Sequence, residues 1–208
     1  MATNVYVDGF NLYNGCVRHT DHKWLDLEAF FAQLLPAEDT AAIRYFTAHV
    51  SGKEDPGSPT RQRTFLRALE TLPLVSVHFG KFKTRPVRMR NANPPPNTVE
   101  VIKREEKRSD VNLAAHMISD SAAGQIDTVV LVSNDSDFRD LLTMAKETYG
   151  MRVGVVNPHP EAKRSLELAA VADFTKQISA AVLASAQFPA QITFPGTKRK
   201  PINKPSSW

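Results

Sequence analysis

"VLVSNDSDFRDLL" (residues 130–142) passes from an unbroken apolar run into two aspartates separated by one serine, and then into helical spacing. A continuous run of Val and Leu without alternation marks a strand covered on both faces, as the strands of parallel α/β sheets are. Asp135 and Asp137 therefore stand where a central strand hands over to a helix. Two explanations compete there. A carboxylate at a helix start accepts orphan backbone N–H bonds and complements the positive end of the helix dipole. Alternatively, the two acids help to hold a metal ion, and nothing within the stretch separates the readings.

The same alternation extends outward. Runs rich in Val, Ile and Phe recur at 4–8, 42–50, 74–82, 127–133 and 151–157, and each reads as a strand. Helical spacing fills 25–35, 59–72, 109–124 and 136–150. The expected fold is α/β: a doubly wound, mainly parallel sheet with helices on both faces. "TVEVIK" (98–103) reads as a further strand after "NANPPPN", forming a hairpin-like excursion with 74–82. After Pro158 come a helical pattern, "AKRSLELAAVA", an edge strand in "DFTKQI" and a short apolar helix near 179–186. One domain is expected over 1–180, followed over 181–208 by that short helix and a flexible Pro- and Lys-rich tail.

At 208 residues the chain has room for one sizeable core. Its 42% hydrophobic and 23% charged content is that of a globular protein, not a disordered one. No window supplies the ~18 apolar residues of a membrane span. "MATNVYVDGF" lacks the basic flank and apolar core of a signal peptide, so a cytoplasmic location is expected. Cys16 is the single cysteine, which excludes an intrachain disulfide and a thiolate zinc cage. Any metal must be held mainly by oxygen.

Acids recur at the predicted carboxyl ends of strands, where α/β sheets bind ligands. Asp8 ends the first strand, followed by Gly9 for a tight turn and by Asn11, an amide suited to aligning a water or phosphate. Asp110 opens the helix of "KRSDVNLAAHM", with Ser109 as the expected N-cap. Capping accounts for any one of these acids and less well for the set of Asp8, Asp110, Asp135 and Asp137. Crowded carboxylates raise one another's pKa unless a cation neutralises them, and Mg²⁺ or Mn²⁺ suits oxygen ligands that keep several waters. Such an ion activates water against a phosphodiester.

The segment from 81 to 108 adds nine basic residues, Lys81, Lys83, Arg85, Arg88, Arg90, Lys103, Arg104, Lys107 and Arg108, against three acids, a local excess of six positive charges. A polyanion is the partner this favours, with Arg61, Arg63 and Arg67 as further contributors. The plainer reading is a strand edge decorated with Lys and Arg against edge pairing.

"YVDGFNLYN" (6–14), "EEKRSDVNLAAHM" (105–117) and "VLVSNDSDFRDLL" (130–142), in that order and over roughly residues 3–178, resemble the NYN domain family, the LabA-like proteins of the PIN-like nuclease superfamily. The resemblance implies a doubly wound α/β fold and metal-dependent cleavage of RNA. By position, Asp8, Asp110, Asp135 and Asp137 would be the catalytic, metal-binding acids, with Asn11, Ser133 and His116 as supporting polar residues. A mid-helix imidazole such as His116 is, however, more often a half-buried histidine than a ligand. Many members carry a further acid about two turns into the helix that Asp110 opens; His116 stands there instead. His19 and His22 read as solvated loop, while Tyr13 and Asn14 could face a nucleotide or, for Tyr13, pack inward.

The expected function is therefore a metal-dependent ribonuclease acting on single-stranded or structured RNA. An RNA-binding or regulatory adaptor on the same fold is the alternative, and the departure at His116 favours it slightly. A small-molecule phosphohydrolase would leave the basic stretch unused. Nucleotide-cofactor binding lacks a glycine-rich phosphate loop after the first strand.

Overall fold

A computed structural model describes residues 2–53, 55–160 and 163–208. The elements run β1 (Ala2–Asp8), α1 (Gly9–Leu12) continuing into a π-helical turn (Tyr13–Val17), α2 (Leu27–Leu34), β2 (Asp39–Thr47), α3 (Ser58–Leu69) and β3 (Val75–Phe79). They continue as β4 (Lys81–Arg90), β5 (Thr98–Lys107), α4 (Ser109–Ala123), β6 (Thr128–Val132), a 3-10 turn (Ser136–Phe138) and α5 (Arg139–Tyr149). Last come β7 (Arg152–Asn157), α6 (Leu166–Val171), β8 (Phe174–Gln177), α7 (Ala180–Ser185), β9 (Gln191–Ile192) and β10 (Ile202–Asn203).

Six strands form one parallel sheet in the order β3-β2-β1-β6-β7-β8. Strand order reverses direction between β1 and β6, the switch point at which such sheets open a crevice. Alternate residues serve opposite cores, as strand geometry requires. Val5, Val7, Ile43, Tyr45, Val130 and Val132 face α2, α3 and α7, whereas Tyr6, Phe46, Val129, Leu131 and Val153 face α4, α5 and α6. Each such side chain taken fully out of water contributes about 1.5–3 kcal/mol. The doubly wound α/β architecture read from the sequence is the one observed.

Helices α4 and α5 end at Gly124 and Gly150, both in the left-handed region at φ 66° and 67°, where a side chain would be strained. Ser109 does not cap α4. The residue before the helix is Arg108, itself at φ 84°, and the Ser109 hydroxyl instead donates to Glu106 Oε1 at 2.6 Å.

Three further expectations differ from the structure. The apolar run 74–82 is two strands, not one: the chain breaks at Gly80, and β4 leaves the sheet to pair antiparallel with β5 as a separate ribbon. A Cβ at Gly80 would overlap the Glu106 carboxylate and the Ser109 hydroxyl, so only glycine lets the ribbon base close on α4. The helical pattern expected after Pro158 begins at a residue outside the described ones, and α6 itself starts at Leu166.

The tail expected to be flexible is packed instead. Phe188 and Ile202 are buried in the core beneath α2 and α3, and the Trp208 ring lies 6.3 Å from that of Trp24 and 5.9 Å from that of Phe65. Widely spaced apolar residues among prolines and lysines carry no periodic signal, yet each finds a place on a hydrophobic surface the domain leaves open.

Candidate active site at the carboxyl end of the sheet

The register of the sheet sets the acids side by side. Val7 pairs with Val132, so the next residues, Asp8 and Ser133, leave β1 and β6 at the same level. The Ser133 hydroxyl donates to Asp8 Oδ2 at 3.2 Å and accepts the Asp135 N–H at 3.2 Å. Asp8 Oδ1 accepts the N–H of Asn11 at 3.0 Å, and Asp135 Oδ1 accepts that of Asp137 at 3.0 Å. Both acids thus cap helical turns and still converge on one serine; the two readings of the opening stretch are not exclusive.

Burial pushes the Asp8 carboxyl up to about 6, and the negative charges of Asp110 and Asp135 add to that rise against the bonds from Asn11 and Ser133. Asp110 is also raised, by burial first and then by Glu106, Asp135 and Asp137. These mutual effects put Asp8, Asp110, Asp135 and Asp137 near enough at the carboxyl end of the sheet to influence one another, with Glu106 as a further neighbour of Asp110. In the sequence Glu106 reads only as one of three acids in a basic stretch. Its position four residues ahead of Asp110 was the signal available in the sequence.

Among the described residues no three Asp, Glu, His or Cys side chains are gathered tightly enough to enclose a metal ion. A magnesium-type ion asks for less, being held by one or two carboxylates, several waters and the substrate's own phosphate. An all-oxygen set under mutual repulsion, as Asp8 and Asp110 display, fits that chemistry.

Asn11 has a different task from the one expected of it. Its side-chain oxygen accepts the Asn134 N–H at 3.0 Å, and Asn134 in turn accepts from the Ser165 N–H at 2.7 Å and donates to the Lys163 carbonyl at 2.8 Å. Asn11 therefore clamps the loop that carries Asp135. His116 stands apart from these acids. Its ring lies 4.2 Å from that of His78 and 5.7 Å from that of Phe46, over β3 and β2. Six residues at about 100° each turn it some 120° around α4 from Asp110.

The basic residues sit mainly on the β4–β5 ribbon, which rises from the same end of the sheet. Cross-strand pairing puts Lys81, Lys107, Lys83, Arg85 and Lys103 on one face around Glu105, which lies 2.5 Å from Lys103, 3.6 Å from Lys107 and 3.8 Å from Arg85. Arg88, Arg90 and Arg104 share the other face with Phe82 and Glu106, and Arg108 follows at the ribbon's base. The Arg104 guanidinium lies 4.1 Å over the Phe82 ring, which meets Phe10 edge-on at 5.5 Å. Of the other basic residues, Arg61 is paired with Asp55.

Beside the acids opens a cleft of about 770 Å³. Gly9 lies in its wall, where a Cβ would come within 2.6 Å of Tyr45 Cζ and 2.7 Å of the Phe46 carbonyl oxygen, so the chain can turn there only as glycine. Tyr13, 36% exposed, faces the cleft with Asn14 and does not pack inward. His19 lies in the same wall and is exposed.

The NYN domain pattern matches residues 2–195, nearly the whole chain. The chain belongs to the NYN domain family. Among curated proteins this NYN domain is similar to 6-hydroxy-3-succinoylpyridine 3-monooxygenase of Pseudomonas putida, at 34% identity covering 100% of this chain and 75% of that protein. Among solved structures it is similar to a protein of unknown function from Vibrio parahaemolyticus. That likeness has a TM-score of 0.57 at 21% identity and covers 86% of this chain and 93% of the other, which speaks for the shared fold. No helix among the described residues is long and apolar enough to cross a membrane.

Proposed function

We propose that this NYN-domain protein hydrolyses RNA phosphodiester bonds with the help of Mg²⁺ or Mn²⁺. The observation that carries the reading is the convergence of Asp8, Asp110 and Asp135 at the switch point of the sheet. Asp8, Asp110 and Asp135 would hold the cation, with Asp137 at its margin. When bound, it supplies an activated water and charge stabilisation for the leaving oxygen.

The chain's own residues do the rest. Ser133 orients the Asp8 carboxylate and, through the Asp135 N–H, ties it to the neighbouring acid. Asn11 holds the Asn134 turn so that Asp135 keeps its aim. The ribbon's Lys81, Lys83, Arg85, Lys103 and Lys107 grip phosphates without reading bases, while Arg104 on Phe82 offers a stacked cation beside the pocket. Labelled RNA incubated with and without Mg²⁺ or Mn²⁺, and scored for both binding and cleavage, tests the proposal. Metal-dependent cleavage lost in Asp135→Asn supports it; binding without cleavage in either metal would assign the chain to an RNA-binding adaptor.

A second reading follows the Pseudomonas putida relative, whose name describes oxygenation of a hydroxypyridine. The observation in its favour is the aromatic-walled cleft next to Asp8. Oxygen uptake dependent on 6-hydroxy-3-succinoylpyridine and a two-electron reductant, with a hydroxylated product by mass spectrometry, would move the assignment there.

A further inference from the structure

The cleft beside the acid pocket has a lining that phosphodiester hydrolysis does not use. Its aromatic side is continuous across elements far apart in sequence. Tyr45 on β2 meets Phe65 on α3 at 6.2 Å, and Phe65 meets Trp208 at 5.9 Å, all three bordering the cavity. Phe82 under Arg104 closes another side. These rings are held in place: Tyr45 is 7% exposed, and Phe65 and Trp208 pack against the buried Trp24.

Charge is distributed unevenly around those rings. Tyr45 adjoins Asp8, whose negative charge adds to the burial that raises the phenol's pKa. Arg18 and Lys23, from the segment after the π-helical turn, supply positive charge to the lining. Among the described residues no carboxylate pairs with either, whereas Arg61 on α3 is already matched by Asp55. Lys23 Nζ donates to the Thr20 carbonyl at 2.6 Å, and its remaining protons are free for an anion. A cavity of about 770 Å³ lies within the range of small-molecule sites, about 300–1,000 Å³, and is far too small for a folded partner.

We infer that this cleft binds a free small molecule consisting of a planar aromatic or heteroaromatic ring bearing a carboxylate or phosphate, with Tyr45, Phe65 and Trp208 against the ring and Arg18 and Lys23 on the anion. The inference does not rest on RNA hydrolysis. It rests on the cleft that favours the oxygenase reading and deepens that reading by naming the ligand's chemistry, and probe binding is read without any oxygen uptake, so either can fail alone. A ring laid against that fixed aromatic side gains aromatic contact and apolar burial, and an anion near two uncommitted cations gains charge-assisted hydrogen bonds.

The test is calorimetric titration of the full chain with four probes: benzoate, its neutral counterpart benzamide, adenosine 5′-monophosphate, and its neutral counterpart adenosine. At least one anionic probe should bind about tenfold or more tighter than its counterpart, the scale of one charge-assisted contact. Benzoate alone would identify a simple aromatic acid as the source, and the monophosphate alone a nucleotide. The double variant Arg18→Ala/Lys23→Ala should erase the preference for the anion. Phe65→Leu should weaken anionic and neutral probes alike. Arg18 is exposed and Lys23 half-buried, so a thermal melt of the double variant that matches the parent shows that the fold is intact. Asp135→Asn should bind the probes as the parent does even where RNA cleavage is lost, which separates this inference from the hydrolytic one. No saturable binding by either anion, equal binding of charged and neutral forms, or a preference that survives the double variant would overturn it.

Discussion

The Ser133 hydroxyl donates to Asp8 Oδ2 at 3.2 Å, joining the ends of two parallel strands whose residues are 125 positions apart. That bond keeps a carboxylate in a place where burial and two other acids oppose its ionisation, with its pKa raised from 3.8 to about 6. Below the unfolded-state pKa the group is neutral in both states and costs nothing. As pH rises through about 4 to 6 the unfolded chain ionises more readily than the folded one, so the fold loses stability across that window and stays penalised above it. Asp8→Asn should therefore raise the melting temperature at pH 7, by at most about 3 kcal/mol of stability, and the gain should shrink toward zero near pH 4. Melts of both proteins from pH 4 to 7 check this; a gap that does not vary with pH would contradict it.

Capping and chemistry at Asp135 can be separated by a single pair of variants. In Asp135→Asn the side-chain oxygen can still accept the Asp137 N–H, so the turn should keep its stability to within about 0.3 kcal/mol, Asn and Asp being about equal as caps. What is lost is the charge. RNA cleavage in Mg²⁺ should fall by about 100-fold or more. Asp135→Ala removes both functions and should also cost about 1 kcal/mol in denaturant unfolding. If the two variants lost activity only in proportion to stability, Asp135 would be a cap and nothing more.

The parallel sheet was legible because buried central strands such as β6 and β7 are continuous apolar runs flanked by helical spacing. Asp8, Asp135 and Asp137 were legible for a related reason: a strand end is a fixed location, and parallel strands bring such ends together. His116 stands apart from the acids, as a half-buried mid-helix histidine would, because the rotation of α4 and not distance along it sets what it faces. The structure sets it against His78, whose pKa is pushed down to about 4 by burial first and then by His116. Glu106 was missed because its role depends on the ribbon register, which pairs it with Phe82 across a loop of unpredictable geometry. Trp208 was missed because its partners, Trp24 and Phe65, are close only in the folded chain.

Asp120, on the same helix as Asp110, anchors a network on the side of the sheet that α4 covers. It accepts from Arg44 Nε at 2.6 Å and Nη2 at 2.8 Å, from the Tyr6 hydroxyl at 2.7 Å and from Asn4 Nδ2 at 3.0 Å. Asp120→Ala leaves four donor groups on three residues without their acceptor, one of them on the fully buried Tyr6. The expected loss is about 3 kcal/mol in urea unfolding. Asp120→Asn keeps one acceptor oxygen and should lose less. A loss below about 1 kcal/mol for the alanine variant would mean that water replaces the carboxylate.

The ribbon makes a prediction about salt rather than stability. Lys81, Lys83 and Arg85 are exposed and share one face of β4, so their removal should barely move the melting temperature. On RNA they would each displace a condensed counterion, and every such contact steepens the logarithmic dependence of affinity on salt by about 0.7 for a single strand. The triple variant Lys81→Ala/Lys83→Ala/Arg85→Ala should therefore flatten that slope by about 2 and raise KM, with little change in kcat. Glu105 supplies the internal control. It draws Lys103, Lys107 and Arg85 toward itself, so Glu105→Gln should release them and tighten RNA binding at low salt. Slopes unchanged in the triple variant would mean that the ribbon's charges serve only to keep its edges from pairing with other chains.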